Sequence, residues 1–265
     1  MHYIQKTDFW ETLMKTEILY EDKDLLVVRK PAGLATQTSR VGQADVVSEL
    51  KNYIGAAGSS SPPYLGIIHR LDQPVEGLLV FAKNKKTAGE LTRQLCGQDA
   101  ESSLHKQYYA VLYGSPSIKE GRLVNDMYKD KGGRAVIADS TAGVNGKGIT
   151  LKRAVLQYQI LQTVRIPSGE EISLADIQIE TGRFHQIRAQ MAHLGTALLG
   201  DEKYADEEAK ACSRRLGIRN AALCARSLTF VHPVTGKRVC FETRPTSAAF
   251  ALFDKDGGSN FLVRK

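Results

Sequence analysis

Cysteine is scarce in this sequence and long apolar runs are missing, and each absence excludes a class of protein. The four cysteines form no C-x-x-C pair and have no histidine at zinc-like spacing, which predicts reduced, mostly buried thiols instead of a zinc site. Residues 1–15 hold no apolar segment of signal-peptide length and no small-residue cleavage site. No segment approaches the length of a membrane span. We therefore expect a soluble, intracellular protein of the cytoplasm.

The composition is that of an ordinary globular protein with a moderate basic excess. The 265 residues are 42% hydrophobic and 25% charged, enough for one large domain or two small ones. Lysine and arginine outnumber aspartate and glutamate by 36 to 29, so the net charge is +7. This excess permits a polyanionic partner without establishing one. A phosphate-binding loop is not indicated, because GVNGKGIT at 143–150 has the wrong spacing and no Ser or Thr directly after Lys147.

Hydrophobic periodicity predicts many strands, mostly in hairpins, and about five helices. Strands are predicted at 18–20, 25–29, 65–68, 78–82, 106–113, 154–164, 171–180, 223–231 and 238–243. Helices are predicted near 46–55, 85–95, 185–194, 207–216 and 247–253. Because strict βαβ alternation is missing, we expect an α+β fold with a mixed, mostly antiparallel sheet and flanking helices. The predicted organisation is an N-terminal arm at 1–16, a single domain at 17–253 and a tail at 254–265.

The most informative stretch is YLGIIHRLDQPVEGLLVFAK at residues 64–83. Two short apolar runs, each typical of a buried strand, enclose the ionisable side chains of His69, Arg70 and Asp72. Ionised groups taken out of water must be paired or hydrogen-bonded, and places where a sequence departs from its own folding pattern are often functional sites. Asp72 is therefore the candidate reactive group, against the alternative of a structural salt bridge with Arg70 or another arginine.

Two other stretches concentrate polar groups beside apolar structure. Lys106 and Tyr108 begin a strand in KQYYAVLY, and GRFHQIR lies at the start of a helix, where unpaired amide groups attract anions. A reactive aspartate in a cleft must stay ionised against desolvation, and Arg188 is a candidate partner for it. A tyrosine over the site could stack on a planar base and move a proton, and Tyr108 competes with Tyr109 for this role. These patterns favour cofactor-free chemistry carried out by a carboxylate.

Five motifs in order, HRLD, GLLVFAK, KQYYAVLYG, TGRFHQIRAQMAHLG and LLGDEKY, together with RKPAGL, resemble those of the RluA-type pseudouridine synthases. The resemblance covers roughly residues 17–245. It implies the family's mixed sheet with a central cleft and the isomerisation of uridine to pseudouridine in RNA, ribosomal RNA first and transfer RNA next. It also implies that no metal or cofactor is needed. A monomer is the expected state.

The resemblance also implies roles for individual residues. Asp72 would be the nucleophile or base at the target nucleotide, Tyr108 would stack on the flipped uracil, and Arg188 would pair with Asp72. Arg70 would hold the space that the extruded base leaves in the RNA. The remaining candidates for substrate binding are His69, Arg183, His185 and Gln186, although both histidines are also expected to be hydrogen-bonded structural residues.

Three departures from the family pattern bear on substrate choice. QPVEG follows HRLD where many members have x-x-T-S-G, so Glu76 adds a negative charge, and Cys224 stands where a histidine is common. The residues before Glu17 are too few for the S4 domain of many relatives, so we expect RNA recognition by the catalytic domain, by its basic segment at 129–153 or by a partner. Two alternatives stay open, a non-catalytic RNA-binding relative and a carboxylate-dependent hydrolase with Glu76 as second carboxylate.

Overall fold

The computed structural model describes residues 14–40, 42–56, 62–97, 103–138 and 149–253. Its backbone divides into two compact units, residues 1–106 with 225–244 and residues 107–224 with 245–265. Most of the predicted N-terminal arm, most of the rejected phosphate-loop segment and the predicted tail lie outside the described residues. The single domain at 17–253 stays a prediction. None of the described helices is both long and apolar enough to cross a membrane.

Eleven strands and five helices occur among the described residues, which confirms the predicted α+β class. The strands are β1 Glu17–Glu21, β2 Leu25–Lys30, β3 Gly66–Ile67, β4 Glu76–Ala82, β5 His105–Tyr113, β6 Glu120–Lys129, β7 Ala135–Ile137, β8 Lys152–Arg165, β9 Glu171–Ile179, β10 Leu223–Val231 and β11 Arg238–Glu242. The helices are α1 Val46–Ala56, α2 Lys85–Leu95, α3 Gln186–His193, α4 Glu207–Arg215 and α5 Ala248–Ala251.

In the first unit the strands follow the order β1-β2-β4-β10, with β3 also on β4 and β11 on β10. The hairpin of β1 and β2 and the hairpin of β10 and β11 are antiparallel, as the sequence predicted, and β2 also pairs antiparallel with β4. Every residue of β4 is buried, and on one face of the strand Leu78, Val80 and Ala82 pack with Leu91 of α2. The strand predicted at 65–68 is shorter than expected, since only Gly66 and Ile67 pair with β4.

The loop between β3 and β4, which carries Asp72, is fixed by hydrogen bonds on both sides of that residue. Lys30, fully buried, donates from Nζ to the carbonyl oxygens of Pro31 (2.9 Å), Leu34 (2.6 Å) and Gln73 (3.2 Å). Thr36 Oγ1 donates to the carbonyl oxygen of Leu71 and accepts from its amide at 2.9 and 3.1 Å. The backbone on either side of Asp72 is therefore anchored to the segment that follows β2.

Gly77 is the position at which β4 comes closest to β10. Its φ is +121°, and a Cβ atom there would lie 2.4 Å from the carbonyl oxygen of Ala225. Only glycine fits, because both the backbone conformation and the contact exclude a side chain. This accounts physically for the one glycine that QPVEG shares with the family pattern.

In the second unit the strands follow the order β5-β9-β8-β6-β7, with β6, β7, β8 and β9 paired antiparallel. Its core joins β5 and β9 to α4 and α5 through Val111, Leu174, Cys212 and Phe250. The predicted helix near 185–194 is confirmed as α3, but its residues from Gln186 to Met191 are all buried. The buried surface of α3 is therefore wider than the single apolar stripe that its sequence shows.

The four cysteines are all free, but they are not mostly buried. Cys212 and Cys224 are buried, whereas Cys96 and Cys240 are exposed. The prediction was wrong for the exposed pair because Cys96 lies directly after the last turn of α2 and Cys240 lies on the terminal strand β11. Whether a small side chain is buried at the end of a helix or on a terminal strand depends on neighbours that are distant in sequence.

Replacing Lys30 with methionine should lower the free energy of unfolding by about 3–5 kcal/mol, because three carbonyl oxygens in a buried region lose their hydrogen-bond donor. The difference in the free energy of unfolding between the wild type and Lys30→Met should increase from pH 7 to pH 9. Burial lowers the pKa of Lys30 to about 7 in the folded protein, so the unfolded chain binds more protons and wild-type stability rises with pH, by up to about 1.4 kcal/mol per pH unit.

Urea unfolding at pH 7, 8 and 9 measures both effects. The matched control is Lys23→Met, because Lys23 is exposed in the turn of the same hairpin and its loss should change stability by less than about 0.5 kcal/mol. Equal stability of Lys30→Met and the wild type, or a difference that does not vary with pH, would contradict the role assigned to Lys30.

Candidate active site

The charged stretch of the first unit forms a turn with three differently placed side chains. His69 is buried, Arg70 is exposed and Asp72 is half-buried. The amide of Val75 donates to the carbonyl oxygen of Asp72 at 3.0 Å, which closes the turn. The loop thus holds the Asp72 carboxylate partly in contact with solvent, while Arg70 extends into it.

A buried cation lies close to two carboxylates in this unit. Burial lowers the pKa of Lys30 to about 7, and the negative charges of Asp72 and Glu76 oppose this shift. Coulombic attraction is mutual, so the Lys30 ammonium also attracts both carboxylates in surroundings of low dielectric constant. Glu76 itself is only 2% exposed. Sequence reasoning missed Lys30, whose only signal was its place in the RKPAGL motif.

His69 and Lys106 form a second buried pair in the first unit. The amide of Val80 donates to His69 Nε2 at 3.4 Å, which confirms the expected hydrogen-bonded structural histidine. Burial and the nearby positive charge of Lys106 hold the pKa of His69 well below its usual value, so the ring is neutral at pH 7. Burial also lowers the pKa of Lys106 to about 8. Contact of His69 with substrate stays a prediction.

Arg188 of the second unit is locked to an aspartate that sequence reasoning did not single out. Its Nε donates to Asp201 Oδ2 and its Nη2 to Asp201 Oδ1, both at 2.7 Å. Asp201 also accepts from the amides of Lys203 and Tyr204, and the guanidinium lies 5.1 Å from the centre of the Tyr204 ring. Arg188 is 5% exposed, so it is not a solvated arginine on the helix surface. Its pairing with Asp72 stays a prediction.

The other candidates of the GRFHQIR motif surround the start of α3. Gln186 uses its amide within the unit, since Oε1 accepts from Thr181 Oγ1 and the Arg183 amide, and Nε2 donates to the carbonyl oxygen of Val155 at 3.0 Å. Arg183 is exposed, and its Nε donates to the carbonyl oxygen of Arg153 at 2.8 Å. Gln186 thus has a structural role, and substrate contacts by these residues stay predictions.

The two neighbouring tyrosines of β5 are both buried, Tyr108 at 5% and Tyr109 at 6% exposure. Tyr109 packs in the apolar core of the second unit with Val111 and Leu174. Successive side chains of a strand point to opposite faces, so Tyr108 points away from the face that Tyr109 occupies. This supports Tyr108 as the candidate reactive tyrosine. Within the described ranges, no group of three or more His, Cys, Asp or Glu side chains is placed to hold a metal ion.

Comparison with known proteins agrees with these motifs. A family profile described as RNA pseudouridylate synthase matches residues 24–193, a span that contains Asp72, Tyr108 and Arg188. The ribosomal large subunit pseudouridine synthase D of Zymomonas mobilis is 33% identical over 89% of this chain and 71% of the relative. The tRNA pseudouridine synthase C of Haemophilus ducreyi is 30% identical over 92% of this chain and 97% of the relative.

A solved structure shows the same fold at lower sequence similarity. The human RNA pseudouridylate synthase domain containing 4 superposes with a TM-score of 0.65 at 24% identity, covering 92% of this chain and 94% of the human one. The profile spans well over half of the sequence, and the relatives cover nearly all of it. The chain therefore belongs to the RNA pseudouridylate synthase family.

Proposed function

We propose that the protein isomerises specific uridines in structured ribosomal RNA to pseudouridine, with transfer RNA as the second candidate substrate. The observation that carries this proposal is the family profile over residues 24–193, supported by two relatives that are named for different RNAs. A third relative, from Vibrio parahaemolyticus, is named as a dual-specificity enzyme and is 30% identical. We further propose that the protein acts in the cytoplasm as a monomer.

The reaction breaks the bond between ribose C1′ and uracil N1, rotates the uracil and joins C1′ to uracil C5. C5 then loses its proton and N1 gains one, so the product is an isomer of the substrate. We assign the nucleophile or base to Asp72. Its half-buried side chain, in a turn that the Lys30 hydrogen bond to Gln73 anchors, supports this assignment, because a reactive carboxylate needs both a fixed position and access to the substrate. The proposal leaves open whether Asp72 attacks the ribose, attacks the uracil or only removes a proton.

The remaining roles follow from the need to reach a base inside folded RNA. Flipping the target uridine costs a few kcal/mol of unstacking, and we propose that Tyr108 offsets this cost by stacking on the uracil. Arg70, exposed at the turn beside Asp72, would occupy the space that the base leaves. Arg188 would supply a fixed positive charge, since Asp201 holds its guanidinium on two sides.

Asp72→Asn should reduce pseudouridine formation by about 10³-fold or more while RNA binding is retained, because the amide keeps the shape of the side chain but cannot attack or accept a proton. The measurement is a transcriptome-wide pseudouridine map of the source cell with the gene deleted, compared with rescue by wild type and by Asp72→Asn. A site that is lost on deletion and returns only with the wild type identifies substrate and catalytic residue together.

Glu76→Gln is the matched control, because Glu76 is the other carboxylate near Lys30. It should retain measurable turnover. If it abolished turnover as fully as Asp72→Asn, the alternative of a hydrolase with two carboxylates would return. If RNA bound but no pseudouridine depended on the gene, the non-catalytic RNA-binding alternative would replace the proposal.

Asp201→Asn should destabilise the protein by about 3–5 kcal/mol, because it leaves the buried Arg188 cation without its carboxylate. Turnover should fall in the remaining folded enzyme, since Arg188 loses its fixed orientation. The control is Glu180→Gln, which breaks an Arg122–Glu180 pair of the same two-bond type on the surface. Urea unfolding should show a far smaller loss of stability for Glu180→Gln than for Asp201→Asn. Equal losses would contradict the claim that burial makes the Arg188–Asp201 pair important for stability.

A further inference from the structure

An aromatic ring is exposed in the turn that leads into α3. Phe184 is 42% exposed, although it lies between two residues that are tied into the second unit. Its ring stacks on that of His185 with a centroid distance of 3.7 Å and an interplanar angle of 22°. The ring is therefore supported by a second ring and is still accessible to solvent.

The backbone holds this ring in a preset position. His185 has a φ of +51° and is the one non-glycine residue with positive φ in the described part of the chain. A left-handed conformation is unfavourable for a residue with a Cβ atom, and such strain often occurs at functional sites. The surrounding contacts maintain it, since His185 Nδ1 and the Tyr204 hydroxyl are hydrogen-bonded at 2.8 Å, and the same hydroxyl accepts from the Ala135 amide.

One positive charge lies over the Phe184 ring, and a second lies over the nearby Tyr204 ring. Lys129 Nζ lies 4.8 Å from the centre of the Phe184 ring, and the Arg134 guanidinium lies 5.4 Å from that of Tyr204. Both side chains belong to the β6–β7 hairpin and are exposed. This hairpin is fastened to the segment before α4, because Arg134 donates to the carbonyl oxygen of Lys203 and Lys203 Nζ donates to that of Gly133. We call Phe184, His185, Lys129 and Arg134 the Phe184 shelf.

We propose that the Phe184 shelf binds an unpaired base of the substrate RNA other than the target uridine, by stacking that base on Phe184. Lys129 and Arg134 then contact the adjoining phosphates, since an entering base displaces Lys129 Nζ from the ring face. This inference rests on the proposed function and adds a subsite to it. Exposed aromatic rings interleaved with cations are typical of surfaces that bind single-stranded nucleic acid with little sequence preference.

The shelf differs in kind from the site proposed for the target base. Tyr108 is 5% exposed and suits an enclosed uracil, whereas Phe184 offers an open surface that any base can stack on. A protein partner is disfavoured by the same features. Lysine is depleted in protein–protein interface cores, and here the exposed ring lies under the Lys129 ammonium.

The test measures binding without chemistry, by fluorescence anisotropy with a fluorescein-labelled 12-nucleotide oligoadenylate, which contains no uridine. Phe184→Ala should weaken binding about 5- to 150-fold, the range reported for loss of one stacked base, and Phe184→Trp should restore it. With an abasic 12-mer of the same backbone, Phe184→Ala should have no effect. Lys129→Ala should weaken binding of both RNAs and reduce the salt dependence of binding by about one unit of slope.

Ile118→Ala is the matched control, because Ile118 is an exposed apolar side chain of the same unit, 67% accessible and outside the shelf. It should leave the binding of both RNAs unchanged. Unchanged oligoadenylate binding by Phe184→Ala, or an equal loss for oligoadenylate and the abasic RNA, would overturn the stacking subsite. Failure of the proposed function is a separate result, namely that the wild type forms no pseudouridine in cellular RNA whatever the binding data show.

Discussion

The buried side-chain nitrogen of Lys30 makes the interaction on which the loop carrying Asp72 depends. It lies within hydrogen-bond distance of three carbonyl oxygens, and one of these belongs to Gln73, the residue directly after Asp72. Removing a polar or charged group from water is costly unless hydrogen bonds and opposite charges compensate it. The loop conformation supplies the acceptors, and Asp72 and Glu76 supply negative charge when Lys30 is protonated. These hydrogen bonds therefore hold the turn on which the candidate catalytic carboxylate lies.

In the second unit, the buried side chain of Arg188 needs compensation of the same kind. A guanidinium that is almost completely buried needs a carboxylate with matching two-bond geometry. Asp201 provides it, and its Oδ1 also accepts from two backbone amides. The segment after α3 is thereby tied to the helix. Tyr204 extends this network to His185 and to the β6–β7 hairpin, so one cluster both fixes Arg188 and supports the Phe184 shelf.

The elements themselves were largely predictable, and the misses have specific causes. α2 was predicted with its bounds from the helical spacing of its apolar residues, and in the structure the side chain of Asn84 caps its start. α3 was located, but its burial was underestimated, because Gln186, Arg188 and Gln190 look like a solvent-facing surface in the sequence. In the structure each of these side chains has hydrogen-bond partners in other elements, which makes its burial tolerable.

The sequence by itself determined the fold class, the family and the set of candidate residues, because ordered motifs and hydrophobic periodicity are local properties of the chain. Only the tertiary structure decided which charges are buried and what each of them binds. Lys30 bonds to a residue 43 positions away, and Phe184 lies next to Lys129, 55 positions earlier in the chain. The free energy of burying a charge or exposing a ring depends on such distant neighbours, and these cannot be identified from the local sequence.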